Sequence, residues 1–259
     1  MEQITDNDDI KLKLIYIEAY NYLKEKVGED VLKKELNHYY EVKPESIDDV
    51  FKQMVRSLKN KQGFRNFIAK TDELKPVLFN FNLEMFLKTF MGDWKILFYK
   101  FKEKFGDEYK MDINNKRNAW VTYSKGIISG SKFLSRFNSL KDFDDYVKSF
   151  SYNEFTIANL PMELKKEIFG FGFPLACDFL KELGYVEYGK PDVHLKDIFF
   201  ELKLVESRDD YEIFKKMVRI GKIVNQDTVV VDKVFWLIGY HNFKSEFIEC
   251  MKDKLKNDL

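Results

Sequence analysis

The sequence predicts an all-α protein. Apolar residues recur at intervals of three and four along most of the chain, which is the spacing of one helix face. The 259 residues include only 12 glycines and 5 prolines, so the stretches between them suit helices better than strands. One run, Thr228–Val231, is strongly β-branched and is consistent with either a short strand or the start of a buried helix. All-α is the favoured fold class.

The first helix is predicted by one apolar face, with Asp8 or Asp9 as its cap. This face is formed by Ile10, Leu14, Ile17, Tyr20 and Leu23. The next helix opens at Pro44-Glu45-Ser46 and carries Val50, Met54 and Leu58. Further helices are expected near residues 74–90, 93–105, 117–136, 139–150, 161–169, 174–183, 192–203, 209–222 and 244–257.

Composition is that of a folded globular protein, with 45% hydrophobic and 16% aromatic residues. No apolar run approaches the roughly 20 residues that span a bilayer. The acidic start of the sequence lacks the features of a secretory signal, so a cytoplasmic protein is expected. Cys177 and Cys250 cannot build a disulfide framework, and Cys177 is expected to be a buried thiol. Three isolated histidines have no metal-ligand spacing, and no cofactor is expected.

The charges are balanced overall but not along the chain. Forty-three basic and 43 acidic residues cancel, which argues against nonspecific coating of nucleic acid. Between Asp112 and Asp142 there is no acidic residue, and this segment contains Lys116, Arg117, Lys125, Lys132, Arg136 and Lys141. The segment is either a phosphate-binding face or a solvated surface balanced by acidic residues from elsewhere.

The most informative stretch is Gly170-Phe171-Gly172-Phe173-Pro174, which joins two helix-like segments and is followed by Lys190-Pro191-Asp192-Val193-His194. Glycines allow left-handed dihedrals and a close approach of the backbone to a ligand. Pro174 suits the first turn of a helix, where free amides and the helix dipole attract anions. An ordinary glycine turn between two core helices is the alternative.

These two motifs together resemble the helix-hairpin-helix DNA glycosylase superfamily, whose hairpin reads G-h-G-x-K-x-A and whose next helix opens with Asp-Thr-His or a similar tripeptide. Asp192 lies eighteen positions beyond Pro174, which is the separation found in the family. The resemblance implies two helical lobes with the active site in the cleft between them. The expected regions are an N-terminal helical region at 1–109, a hairpin lobe at 110–225, and C-terminal helices at 226–259 that pack back on the N-terminal region.

The resemblance also implies roles for individual residues. Asp192 would stabilise the positive charge that develops on the sugar of a flipped nucleotide and help to activate water, although capping of the next helix could alone explain it. His194 is expected to be structural. Gly170, Gly172, Phe173, Lys125 and Lys132 are candidate DNA contacts, and Lys190 is either a phosphate contact or a solvated charge. Pro174 occupies the position of the lysine that forms a Schiff base in bifunctional members.

Two earlier segments extend the resemblance more loosely. Gln62, beside Asn60, is a candidate wedge for the gap left by the extruded base, and a frayed helix end is the favoured alternative. The small residues between Trp120 and Ser131 have the spacing of close helix packing. Trp120 or Tyr123 could stack on a base, although core packing is favoured.

Three functions remain open at this point. The first is a monofunctional DNA glycosylase that acts on double-stranded DNA, as a monomer, with Asp192 as its catalytic residue. The second is a non-catalytic DNA-binding protein on the same scaffold, which the neutral net charge and the missing lysine favour. The third is an α-helical interaction protein in which the motifs are coincidental.

Overall fold

The computed structural model describes residues 7–40, 43–61, 64, 66–151 and 153–258, and no strand occurs within them. The helices are α1 (Asn7–Val27), α2 (Glu29–Asn37), α3 (Ile47–Lys59), α4 (Thr71–Leu74), α5 (Leu83–Phe90), α6 (Trp94–Phe105), α7 (Ala119–Leu134), α8 (Leu140–Phe150), α9 (Asn159–Glu167), α10 (Phe173–Lys181), α11 (Val193–Glu201), α12 (Asp210–Val224), α13 (Thr228–Tyr240) and α14 (Lys244–Asp258). The all-α prediction is confirmed. None of these helices is long and apolar enough to cross a membrane.

The chain forms two compact units. One, here called the terminal unit, consists of Met1–Val42, Asn153–Ala158 and Leu180–Leu259. The other, the middle unit, consists of Lys43–Tyr152 and Asn159–Phe179. Each unit has its own buried apolar core.

These units divide the chain at different positions from the expected regions 1–109, 110–225 and 226–259. Helices α6 and α7 pack against each other within the middle unit, on either side of position 110. Helices α12 and α13 pack together in the same way within the terminal unit, on either side of position 226. Contacts between helices that are neighbours in the sequence therefore cross both of the expected boundaries, at 110 and at 226.

Close packing of α3 against α7 forms the centre of the middle unit. Helix α3 begins after Ser46, where the hydroxyl of Ser46 accepts from the N–H of Asp49 and the Asp49 carboxylate accepts from the N–H of Ser46. This capping box confirms the predicted helix start. A Cβ on Gly130 of α7 would lie 2.3 Å from Sδ of Met54 in α3, so the glycine leaves room for that side chain between the two helices. The prediction of close packing by small residues is confirmed.

Helix α13 forms the centre of the terminal unit and packs against α1, α11 and α12. Its first turn is the β-branched run Thr228–Val231, all of whose side chains are buried. Tertiary packing outweighs the weak helix propensity of β-branched residues here. Of the two alternatives for this run, the start of a buried helix is the one observed.

The start of α1 corrects the expected cap. Within the described residues the helix already begins at Asn7, so Asp8 and Asp9 lie in its first turn. Both carboxylates join α1 to α12: Asp9 accepts two hydrogen bonds from Arg219, and Asp8 lies 2.7 Å from Nζ of Lys216. Their negative charge also suits the positive end of the helix dipole. They are ion-pair partners rather than caps.

The expected helix at 74–90 is also wrong. Helix α4 ends at Leu74, and the chain then passes through a 3-10 turn at Phe79–Phe81, in which Asn80 has a φ of 54°. Helix α5 starts afresh after Asn82, whose side chain accepts from the N–H of Met85 at 2.8 Å. Pro76, which has no N–H to donate, explains why one helix cannot continue through this segment. Helix α2, after the left-handed Gly28, was not predicted.

Candidate functional site

The glycine hairpin lies in the middle unit, between the end of α9 at Glu167 and the start of α10 at Phe173. Gly170 has a φ of 95°, a conformation that side chains strain, so the predicted left-handed glycine is confirmed at this position. Gly172 does not have a positive φ, and a Cβ there would make only an ordinary contact, 3.8 Å from Cδ of Pro174. The backbone conformation therefore requires glycine at 170 but not at 172.

The turn leaves backbone donors available. The N–H groups of Leu175 and Ala176 both donate to the carbonyl of Gly172, at 3.1 and 3.0 Å. Within the described residues, the N–H groups of Gly170 and Gly172 donate to no acceptor. Phe173 is only 2% exposed, so this predicted DNA contact could be made only by its backbone. The hairpin has the donor pattern of an anion site.

Helix α7 holds the hairpin in place. The N–H of Phe169 donates to Oγ of Ser129 at 2.7 Å, and a Cβ on Gly126 would lie 2.7 Å from the carbonyl oxygen of Phe169. The ammonium group of Lys125 lies over the rings of Trp94 and Phe169, at 4.6 and 5.5 Å from their centroids. The basic segment therefore reaches the hairpin directly through Lys125.

A further lysine that the sequence analysis did not select lies beside the turn. A Cβ on Gly170 would be 3.7 Å from Nζ of Lys61. Lys61 follows the end of α3, so its proximity to the hairpin depends on the packing of α3 against α7. Two ammonium groups, those of Lys61 and Lys125, thus flank the unpaired amides.

The rest of the basic segment is less available. Arg136 lies 3.7 Å from Glu163 and 4.0 Å from Glu167, and Lys141 pairs with Asp145. Lys132 is exposed and forms no ion pair with the described residues. Acidic residues therefore balance some of the charges of this segment, as one of the two alternatives held, and the phosphate-binding face stays a prediction.

The aromatic candidates for base stacking lie in the core. Trp120 and Tyr123 are 1% and 0% exposed, and the hydroxyl of Tyr123 donates to the carbonyl of Val55 at 3.0 Å. Neither ring is accessible to a base, and the favoured prediction that both pack in the core is confirmed. Asn60 donates to the Asp178 carboxylate at 3.4 Å, and the predicted wedge Gln62 lies outside the described residues.

Asp192 lies in the terminal unit and caps α11. Its Oδ1 accepts from the N–H groups of His194 and Leu195, at 2.9 and 3.2 Å, which confirms the predicted capping. The side chain is half-buried. Burial and the nearby charge of Asp232 raise the pKa of the Asp192 carboxyl, and the two amide hydrogen bonds oppose that increase. A cap needs neither burial nor a second carboxylate.

The second carboxylate belongs to a buried charge cluster that the sequence did not indicate. Asp232 of α13 is 1% exposed, and its Oδ2 accepts from Nζ of Lys181 at 2.9 Å and from the backbone N–H of Lys190 at 2.8 Å. Lys190 was predicted as either a phosphate contact or a solvated charge, and the structure adds a structural role for its backbone N–H. Asp232 and Lys181 could have been suspected only from charges that interrupt strongly apolar helices.

His194 has a structural position, as expected. A Cβ on Gly239 of α13 would lie 2.2 Å from Cγ of His194, so the imidazole packs directly on the backbone of that helix. Its buried Nδ1 has no hydrogen-bond partner among the described residues. The ring fixes α11, and with it Asp192, against α13.

Two solved structures are similar to this chain, whereas no protein-family model and no curated protein matches it. One is the Methanocaldococcus jannaschii 8-oxoguanine glycosylase/lyase in complex with a 15-mer DNA containing 8-oxoguanine, with a TM-score of 0.52 and 20% identity over 85% of this chain and 95% of that one. The other is the 8-oxoguanine DNA glycosylase of the same organism, with a TM-score of 0.52 and 19% identity over 88% and 93%. The likeness shows that this chain shares the helical fold of these two proteins.

Proposed function

We propose that this chain is a DNA glycosylase that hydrolyses the N-glycosidic bond of a damaged or modified base. The observation that carries the proposal is Asp192, a half-buried carboxylate that lies beside a second carboxylate and follows the hairpin at the superfamily's separation. Perturbed ionisable groups concentrate at functional sites, and a helix cap alone does not require this environment. The two similar solved structures named above are 8-oxoguanine DNA glycosylases, which supports this proposal.

The chemistry assigned to Asp192 follows from the charge of the transition state. As the bond between the sugar and the base breaks, its electron pair leaves with the base and the sugar becomes oxocarbenium-like. The ionised carboxylate stabilises that positive charge. It then accepts a proton from the water whose oxygen bonds to the sugar carbon. Base flipping costs least for damaged or mispaired bases, which gives a first level of selectivity.

The hairpin supplies binding rather than chemistry in this proposal. The amides of Gly170 and Gly172, which have no acceptor among the described residues and are flanked by Lys61 and Lys125, suit one phosphate of the DNA backbone. Pro174 provides no amine at the Schiff-base position, so excision without strand cleavage is the reaction proposed. The proposal also includes a monomer that acts on double-stranded DNA in the cytoplasm.

A non-catalytic DNA-binding protein is the second candidate. It is favoured by Pro174 and by the equal numbers of basic and acidic residues. This candidate predicts duplex binding without release of any base, whereas a glycosylase leaves an abasic site.

The test is incubation with end-labelled duplexes that carry a panel of altered bases, beginning with 8-oxoguanine, followed by alkali to break abasic strands. Excision by the unmodified protein, abolished by Asp192→Asn with binding retained, is expected. Asp209→Asn is the matched control, because Asp209 caps α12 in the same way but is exposed. Binding of every duplex with no alkali-labile product would favour the second candidate.

A further inference from the structure

One buried carboxylate connects three separate segments of the terminal unit. Asp232, on α13, accepts from the side chain of Lys181 at the end of α10 and from the backbone of Lys190 in the loop before α11. The side chain of Lys181 is 10% exposed and that of Asp232 is 2% exposed. Tyr39 covers the pair, with Nζ of Lys181 5.1 Å from its ring centroid.

The loop that ends at Asp192 is fixed to the start of α13 at several points. The N–H of Val229 donates to the carbonyl of Val186 at 3.0 Å. A Cβ on Gly189 would lie 2.7 Å from the carbonyl oxygen of Thr228 and 3.0 Å from Cβ of Asp232. The N–H of Asp192 itself donates to the carbonyl of Lys190, so the contact with Asp232 is two residues from the candidate catalytic group.

We infer that Asp232 and Lys181 are positioning residues for Asp192, and that they hold the segment 190–192 in place and set the charge around its carboxylate. This inference rests on the proposed function, since it assigns the pair to the same reaction. Asp232 is the nearby negative charge that opposes ionisation of Asp192. Lys181 donates to Asp232 and so offsets part of that negative charge.

Stability alone gives a poor account of the pair. Burying an ion pair costs desolvation that its attraction often fails to offset, and apolar replacements of similar volume are frequently neutral or stabilising. The backbone contact of Asp232 with Lys190 gives the pair a definite geometric role. The titratable groups that act on Asp192 are Asp232 from α13 and His194 from α11. Lys181 from α10 contacts Asp232, and Lys190 is close to Asp192 in the loop and donates its backbone N–H to Asp232.

Replacing Lys181 and replacing Asp232 should shift the titration of Asp192 in opposite directions. Lys181→Met leaves the Asp232 charge unbalanced, so Asp192 should hold its proton to a higher pH than in the unmodified protein. Asp232→Asn removes the repulsion, so Asp192 should lose its proton at a lower pH. Lys181→Arg keeps the charge and should leave the titration in place. A purely structural pair would not shift the titration in opposite directions.

The experiment is an NMR titration of the Asp192 side-chain carboxyl carbon in the full-length protein without DNA, assigned by the signal that Asp192→Asn removes. Lys181→Met is expected to move the midpoint upward and Asp232→Asn to move it downward. If a single variant does not fold, Lys181→Met/Asp232→Asn removes both charges together. It should lower the midpoint, because Asp232 is the charge that raises the pKa of Asp192. An unchanged midpoint in the folded variants would overturn the inference.

Single-turnover excision measured against pH supplies the second readout. In each variant, the pH at which the excision rate rises on the acidic side of the profile should shift by the same amount as the titration midpoint of Asp192. Asp232→Asn should also lower the plateau rate by roughly 100-fold without weakening DNA binding, which is the scale of a small misplacement of a catalytic group. If the variants excise bases but the acidic side of their pH–rate profiles is unchanged, the role of Asp232 and Lys181 is overturned and the proposed function is not. No excision by the unmodified protein would overturn the proposed function, and the NMR titration would still decide whether the pair controls Asp192.

Discussion

The imidazole of His194 occupies the space that any side chain on Gly239 would need, because a Cβ there would lie 2.2 Å from Cγ of His194. This contact presses α11 against α13 within the terminal unit. Asp192 caps the first of these helices and Asp232 belongs to the second. The proximity of the two carboxylates therefore depends on a glycine that is absent from every motif found in the sequence.

Gly239→Ala tests this relationship. The added methyl group must displace the ring or the helix, and overpacking of this kind costs about 1–3 kcal/mol of unfolding free energy. Urea denaturation should show the loss. In Gly239→Ala/His194→Ala the ring is gone, so the double variant should lose less than the sum of the two single losses. Strict additivity would show that the two residues do not compete for this space.

The hairpin glycines form a matched pair. Gly170→Ala places a side chain at a φ of 95° and should cost about 1–2 kcal/mol of stability, since left-handed backbone is strained for any residue with a Cβ. Gly172→Ala has an unstrained φ and space for a methyl group, so its stability should be unchanged. If the amide of Gly172 approaches a phosphate, the methyl group should still weaken duplex binding. Equal binding by Gly172→Ala and the unmodified protein would remove the hairpin from the DNA interface.

The sequence was sufficient for the fold class and for the elements with local signals. Residues close together in the sequence are enough to predict three features: the capping box at Ser46 and Asp49, the hairpin glycine at 170 and the cap at Asp192. The apolar periodicity alone does not mark the start of helix α2 after Gly28 or the break at Phe79–Phe81 after Pro76.

The surroundings of the candidate site could not be predicted in the same way. Lys181, Lys190 and Asp232 meet only through tertiary packing, and a single charged residue in an apolar helix does not reveal its partner. Lys61 lies near Gly170 for the same kind of reason. The motifs located the candidate catalytic carboxylate, and only the fold could identify the groups that set its charge.

Charge reversal in the basic segment should weaken DNA binding regardless of sequence. Lys125→Glu and Lys132→Glu each place a carboxylate where a phosphate contact is proposed, and affinity for all duplexes should fall by similar factors. The dependence of affinity on salt should also become shallower, because fewer counterions are released. Lys88→Glu, on α5 outside this segment, changes the net charge equally and is the control. Identical salt dependence in all three variants would make the segment an ordinary solvated surface.

Asp192→Asn should stabilise the fold while abolishing excision. Asparagine caps a helix about as well as aspartate. Burial and Asp232 raise the pKa of Asp192 above its ordinary value of 3.8, so ionisation of Asp192 costs folding free energy. That cost is absent below the unfolded-state pKa and complete above the folded-state pKa. The variant should therefore resist urea better than the unmodified protein at pH 7, and its advantage should vanish as the pH falls toward 3.8.

Asp209→Asn is the comparison for this stability measurement, since Asp209 accepts the same pair of cap hydrogen bonds at an exposed site. We expect it to lack the pH-dependent gain. A loss of stability in Asp192→Asn at pH 7 would mean that the ionised carboxylate is a net stabilising cap, and the case for a strained functional group would fail.

Pro174 lies in the first turn of α10. Its ring nitrogen cannot form an imine with an abasic sugar. Any excision by the unmodified protein should leave an intact strand that breaks only on alkali or heat, and borohydride should trap no protein–DNA adduct. Pro174→Lys restores an amine where the positive end of the helix dipole favours the neutral, nucleophilic form. The N–H it introduces is compatible with a first turn, so the variant should fold.

A borohydride-trapped adduct with Pro174→Lys, and none with the unmodified protein, is the expected pattern. Efficient trapping by the unmodified protein would mean that another amine has taken over the role. Lys190→Gln and Lys181→Met would be the first variants to test, because Lys190 lies two residues before Asp192 and Lys181 pairs with Asp232. Of these, Lys190 would be replaced first, because the ammonium of Lys181 is already held in a buried ion pair with Asp232.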